Sequence, residues 1–139
     1  MTSLPFDDSV IQFREMALMV DVKSTSILLY GGIDLSKSAI YSDAYLYNQQ
    51  QWRPLTVSNQ IAPRINAKTT TCNNRTFLFG GEGPSENNTL FFNDLYEMTV
   101  SEESLQLIFK LVVPYGPLPK ARASHGMVTV DGRILIYGG

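Results

Sequence analysis

Metal and acid–base chemistry have little to work with in this sequence, which holds one cysteine, Cys72, and one histidine, His125, in 139 residues. A lone cysteine excludes a disulfide within the chain. One Cys and one His cannot supply the three or four ligands of a common zinc site without several carboxylates. Nor does a single histidine imply a Ser-His-Asp relay. Gly80-Gly81-Glu82-Gly83 lacks the Lys-Ser/Thr that a phosphate-cradling loop requires, and no helical pattern follows it. No cofactor is expected.

Charge of one sign is missing too. Eleven Lys and Arg against thirteen Asp and Glu leave a net charge of −2, and the basic residues are scattered from Arg14 to Arg133 without a run. Nucleic acid and anionic membrane surfaces both demand clustered positive charge, so neither is expected as a partner. No apolar run approaches the roughly 20 residues that cross a bilayer. The first residues carry Asp7 and Asp8 where a signal peptide needs a basic head and an apolar middle. A cytoplasmic location is the expectation, and the sequons at Asn74 and Asn87 are then chance. What is present is apolar: 44% hydrophobic and 11% aromatic residues, enough for a packed core.

That apolar material is organised as a repeat. Gly-Gly doublets begin at 31, 80 and 138, spaced 49 and 58 residues apart, and each follows an apolar run. An arginine precedes each doublet by 16 or 17 residues: Arg14, Arg64 and Arg122. Ser42-Asp43-Ala44-Tyr45 and Asn93-Asp94-Leu95-Tyr96 follow the first two. Three landmarks in one order at nearly one spacing make chance a poor explanation.

Within each unit the pattern is strand throughout. Residues 16–22, 67–72 and 124–130 read as first strands. Residues 27–30, 76–79 and 134–137 read as second strands, buried on both faces because they are continuously apolar, β-branched or aromatic. Asp131-Gly132 and the Asn73-Asn74 pair are tight hairpin turns, since both tolerate positive φ. Third strands are placed at 44–47 and 95–100, and fourth strands at 51–55 and 105–113. The doublets end the second strands, where glycine permits conformations and close approaches barred to other residues. No capped 3.6-residue stripe predicts a long helix.

Four antiparallel strands in roughly 50 residues is the layout of a propeller blade. Tyr30-Gly31-Gly32, Phe79-Gly80-Gly81 and Tyr137-Gly138-Gly139 resemble the second-strand ending of the kelch family. Tyr47 and Trp52 resemble its aromatic pair on strands three and four, and 119–125 resembles its Pro-x-x-Arg-x-x-His approach to a first strand. The resemblance spans 14–139 and implies an all-β, kelch-type β-propeller fragment of four-stranded antiparallel blades. Two departures stand out. Tyr47 and Trp52 are five apart, predicting a short outer hairpin, and the second unit has Met98 for tyrosine and no tryptophan, with Ile108 or Phe109 as the substitute.

The expected units are 14–57, 64–113 and the first half of a third, 122–139. Residues 1–13 form a frayed leader or, through 9–13, a closing strand. Because propellers close with 4–8 blades, the chain is expected to be part of a longer sequence, or to complete its ring by self-association. Arg14, Arg64 and Arg122 are assigned to blade junctions, with Gly31, Gly32, Gly80, Gly81, Gly138 and Gly139 as their partners in the repeat. Tyr47 and Trp52 are assigned to packing between blades. His125 is expected to be a structural hydrogen-bonding residue, Cys72 a buried thiol, and Glu102-Glu103 a solvated hairpin tip.

Function is then left to the loops at 33–41, 56–63, 82–92 and 114–120, which emerge at one end of the blades. Candidate contacts to a protein partner are Asp34, Lys37, Glu82, Glu86, Asn88, Phe91, Phe92 and Tyr115. The run Leu90-Phe91-Phe92 reads equally as an interface anchor and as a strand start packed beneath its loop. The kelch resemblance implies a non-catalytic protein-interaction scaffold. Alternatives are a piece of a multidomain regulatory or ubiquitin-ligase adaptor, or of a propeller oxidase or isomerase whose active site lies in other blades. A copper-radical oxidase centre needs two histidine ligands, and this chain has one.

Overall fold

The computed structural model describes residues 10–139. Twelve strands follow in order: β1 (Leu18–Val22), β2 (Ser26–Asp34), β3 (Ala39–Asn48), β4 (Gln51–Ser58), β5 (Lys68–Cys72), β6 (Arg75–Phe79), β7 (Glu82–Pro84), β8 (Thr89–Phe91), β9 (Leu95–Ser101), β10 (Gln106–Leu111), β11 (Gly126–Val130) and β12 (Arg133–Tyr137). Tight turns set the pairing. Gln49-Gln50, Asn73-Asn74 and Asp131-Gly132 all have positive φ at both residues, the hand that matches strand twist. The Gln49-Gln50 turn places Tyr47 directly opposite Trp52, so the first outer hairpin is short, as the spacing predicts.

Strands β1-β2-β3-β4 form one antiparallel sheet and β5-β6-β9-β10 a second. The two face each other, and their outer strands β4 and β10 touch in a short parallel pairing of 56–58 with 106–108. Between them lies the main core, with Leu28, Tyr30, Leu46 and Leu55 meeting Leu78, Met98, Leu107 and Phe109. Tyr30 and Phe109 meet edge to face at 5.1 Å. The hairpin β11–β12 covers the far face of the second sheet, where Met127, Ile134 and Ile136 pack on Cys72, Phe77 and Phe79. The chain is thus an all-β fragment of a β-propeller, with four-stranded antiparallel blades.

Two sequence expectations are adjusted. The first doublet does not end its strand: β2 runs on to Asp34, with a register shift between Tyr30 and Gly32, because β3 begins at Ala39 and keeps pairing with it. The 82–92 segment is a hairpin of its own, β7 against β8, where a loop was expected. The missing tryptophan is replaced by Phe109. It sits opposite Met98 as Trp52 sits opposite Tyr47, and it is buried, while Ile108 points to the other face. Residues 1–9 lie outside the described residues, and 10–13 contain no strand. Ile11 is fully buried against Leu29 and Trp52, as Ile61 is in the core with Leu78 and Phe109.

Repeat junctions and candidate interaction loops

Each repeated arginine sits on the approach to a first strand and folds back on itself. The Nε atoms of Arg14, Arg64 and Arg122 donate to the carbonyls of Gln12, Ala62 and Lys120, two residues upstream. Their Nη1 atoms then donate to the carbonyl of the first doublet glycine: Gly31 at 3.0 Å, Gly80 at 3.0 Å and Gly138 at 2.9 Å. Arg14 and Arg64 add a bidentate pair with Asp43 and Asp94, at 3.0 Å and 2.9 Å through Nη2. Both guanidinium side chains are 1% exposed. Aromatic faces complete the cage, with Tyr41 4.4 Å from the Arg14 carbon and Phe92 3.9 Å from that of Arg64. A buried charge needs such pairing. Arg122 meets no carboxylate among the described residues.

The second glycine of each doublet closes the junction. Gly32, Gly81 and Gly139 have φ of 105°, 98° and 93°, and a Cβ there would lie 2.9, 2.9 and 2.7 Å from the carbonyls of Glu15, Ile65 and Ala123. Three units thus make one contact in one geometry, and only glycine fits it.

Burial would raise the Asp43 carboxyl, but hydrogen bonds from Arg14 and Tyr45, with the Arg14 charge, hold it below the ordinary value. Burial pushes the Tyr30 hydroxyl up to about 12. His125 departs from its expected hydrogen-bonding role. It is 2% exposed and packs edge-on to Phe79 at 5.5 Å, yet neither ring nitrogen has a partner of good geometry. Burial lowers its pKa, helped by the Arg122 and Lys68 charges, with the Phe79 backbone only partly offsetting them. It occupies the position held by Ala17 and Ala67 in the first two units. Cys72 is buried.

Glu102 also differs from its expected solvated state. From the β9–β10 turn it crosses to the first sheet, accepting from the buried Ser26 hydroxyl and from Asn48 Nδ2 at 3.5 Å. Glu103 is exposed. Sequence reading missed this link, and no local signal marks it, because Ser26 and Glu102 are 76 residues apart. The roles of Asp43 and Asp94 were within reach, since each stands before an x-Tyr 12 or 14 residues after the start of its doublet.

The loop candidates divide by what they already hold. Asp34 is buried and closes its own turn, accepting from the Ser36 amide at 3.0 Å and hydroxyl at 2.6 Å, with Lys37 Nζ at 3.5 Å. Glu82 accepts from Asn66 at 2.7 Å. Phe92 lies over Arg64. Glu86, Asn88, Phe91 and Tyr115 are exposed, with Leu90 beside Phe91 on β8. The apolar run therefore splits: Leu90 and Phe91 face outward, and Phe92 packs inward.

The junctions and sheets define a repeat-built propeller element. No family model matches the chain. It is 27% identical to Host cell factor 1 of Homo sapiens over 83% of this chain, and 26% identical to Beta-scruin of Limulus polyphemus over 86%. It is 37% identical over 55% of its length to the Dynein alpha chain, flagellar outer arm, of Chlamydomonas reinhardtii. These similarities fit a kelch-like repeat. The chain spans only 6%, 13% and 2% of those three relatives. Among the described residues no helix is long and apolar enough to cross a membrane, and no three His, Cys, Asp or Glu gather as a metal site.

Proposed function

We propose that this chain is a kelch-type protein-interaction scaffold without catalysis of its own, built of units at 14–57, 64–113 and 122–139. The observation that carries this reading is the outward apolar edge of β8. Antiparallel connectivity brings the ends of β2, β4, β6 and β10 to one end of the sheets. There β7–β8 stands on the Arg64 junction and presents Leu90 and Phe91, each about half exposed. Exposed apolar residues on a rigid base are suited to anchoring a partner. Leu35 on the β2–β3 turn and Tyr115 extend the apolar surface at that end. The relatives' far greater lengths favour a second reading as well, in which the unit serves inside a larger multidomain protein.

The test is affinity capture from an extract of the source organism. Leu90→Ser with Phe91→Ser should lose species that the unmodified chain retains, without changing the melting temperature. Leu111→Ser, on an exposed position of β10, serves as the control. Retention of the same species by the double variant removes the β8 edge as the contact. Phe92 is left intact, because its loss would unpack Arg64.

A further inference from the structure

Successive first strands are tied to one another in one gap and not in the other. Leu18, Lys68 and Gly126 each stand opposite the residue before a doublet, so positions along β1, β5 and β11 correspond one to one. Between β5 and β11 the hydroxyls of Thr70 and Thr129 bond at 2.9 Å. The corresponding pair between β1 and β5 is Val20 and Thr71. Valine has a methyl where Thr70 has its hydroxyl, so this tie cannot form, and Thr71 meets Thr76 of its own hairpin at 3.3 Å instead. A cavity of about 640 Å³ lies where the tie is missing, with Val20, Thr71 and Thr76 in its wall. Its size is that of small-molecule sites, about 300–1,000 Å³. Both walls belong to the two complete sheets, and the β1–β2 and β5–β6 turns set its mouth at the end opposite the β7–β8 hairpin.

Within, the cavity is apolar. Val20, Leu28 and Met98 form its floor, with Val22 and Val100 beside them. The carboxylates near it face elsewhere. Asp21 alternates with Val20 and Val22, which face the second sheet, so it points to the other side of its own sheet. Glu97 alternates with Met98 in the same way and accepts two hydrogen bonds from Arg75, at 2.9 and 2.6 Å, so that pair is closed on itself. Lys23, in the β1–β2 turn, lines the mouth, is exposed and forms no ion pair among the described residues. Of the two hydroxyls at Thr71 and Thr76, one donates to the other and keeps an acceptor, while the second retains a free proton.

We infer that this gap between the two sheets is a binding site for a small amphipathic organic acid. An apolar body rests on Val20, Leu28 and Met98, where its burial drives binding. The carboxylate stays at the mouth, where the unpaired Lys23 supplies the opposite charge and the free threonine proton a hydrogen bond. A cationic head would meet Lys23 with like charge and no free carboxylate to offset it. The site is separate from the β8 edge, and its test does not depend on that surface.

The probes are octanoate and 1-octanol, titrated into the 139-residue chain with Val, Leu and Met methyls labelled for NMR. Octanoate should shift the Val20, Leu28 and Met98 methyls saturably, with Leu90 on β8 as the reference that stays still. Lys23→Gln should weaken octanoate about fivefold and leave 1-octanol unchanged, since only the acid meets the charge. Thr71→Trp, at an exposed position of the wall, should fill the mouth and abolish binding of both. No saturable shift at the three methyls, or shifts of the same size at Leu90, overturns the proposal. So does an equal effect of Lys23→Gln on acid and alcohol, or unaltered binding to Thr71→Trp. If Thr71→Trp lowers the melting temperature, the Lys23→Gln comparison alone decides.

Discussion

At the scale of single residues, His125 is a titratable group held away from water, 2% exposed. Both nitrogens are buried without a partner of good geometry, and two cations lie near, so the neutral ring is favoured in the folded chain, with the Phe79 backbone only partly opposing. The folded pKa is lowered below the ordinary value of 6.5, so below that pH the unfolded chain binds the proton first. Stability is therefore unaffected by this group above pH 6.5. It declines as pH falls from there toward the folded pKa, then levels. Urea midpoints measured from pH 7.5 to 5 should fall, and His125→Gln should flatten that part of the profile. An identical slope in the variant assigns the acid sensitivity elsewhere. Asp43 acts in the same direction, because its proton affinity too is lower in the folded chain, though for a different reason: against burial, its charged form is held by Arg14 and Tyr45. Its folded pKa lies below 3.8, so the stability it adds is present above that value and is lost on further acidification.

At the scale of elements, turns and strands were legible because their causes are local. Asn73-Asn74 and Asp131-Gly132 announce positive φ by residue type, whereas Gln49-Gln50 does so only through the five-residue spacing of Tyr47 and Trp52. The continuation of β2 through its doublet was not legible, because it depends on where β3 starts. Likewise the β7–β8 hairpin and the Glu102 link come from pairings that no local pattern encodes. The doublets permit a sharp comparison. Gly81→Ala must place a Cβ at positive φ, 2.9 Å from the Ile65 carbonyl and 3.0 Å from Ala67 Cβ. Gly116→Ala has φ of 81° but nothing within 4 Å. Thermal denaturation should show a loss of about 1 kcal/mol for Gly116→Ala, the left-handed penalty alone. Gly81→Ala should lose clearly more, about 3 kcal/mol, since backbone clash adds to it. Equal losses would mean that the first-strand approach can yield, and that the doublet is a conformational need only.

At the scale of the whole molecule, the question is what holds one sheet to the next. The interior answer is apolar and repeats: Ile11, Leu29 and Trp52 on one face of the first sheet, and Ile61, Leu78 and Phe109 between the sheets. The rim answer is polar: beside the β4–β10 backbone pairing and the bond from Asn59 Nδ2 to the Phe109 carbonyl, Glu102 reaches Ser26 and Asn48 across the gap. Ser26 is buried, so removing Glu102 strands a hydroxyl as well as breaking a charge-assisted bond. Glu102→Ala should therefore cost about 2 kcal/mol in urea denaturation, while Glu103→Ala, one residue away and exposed, should stay within about 0.5 kcal/mol. A double-mutant cycle with Ser26→Ala isolates the link, and a coupling of about 1 kcal/mol is expected. Amide exchange should also quicken at Ser26 and Asn48 in Glu102→Ala, with Leu78 unchanged, because the apolar interior would still hold the sheets. Zero coupling would leave the apolar interior and the β4–β10 pairing to hold the two sheets together.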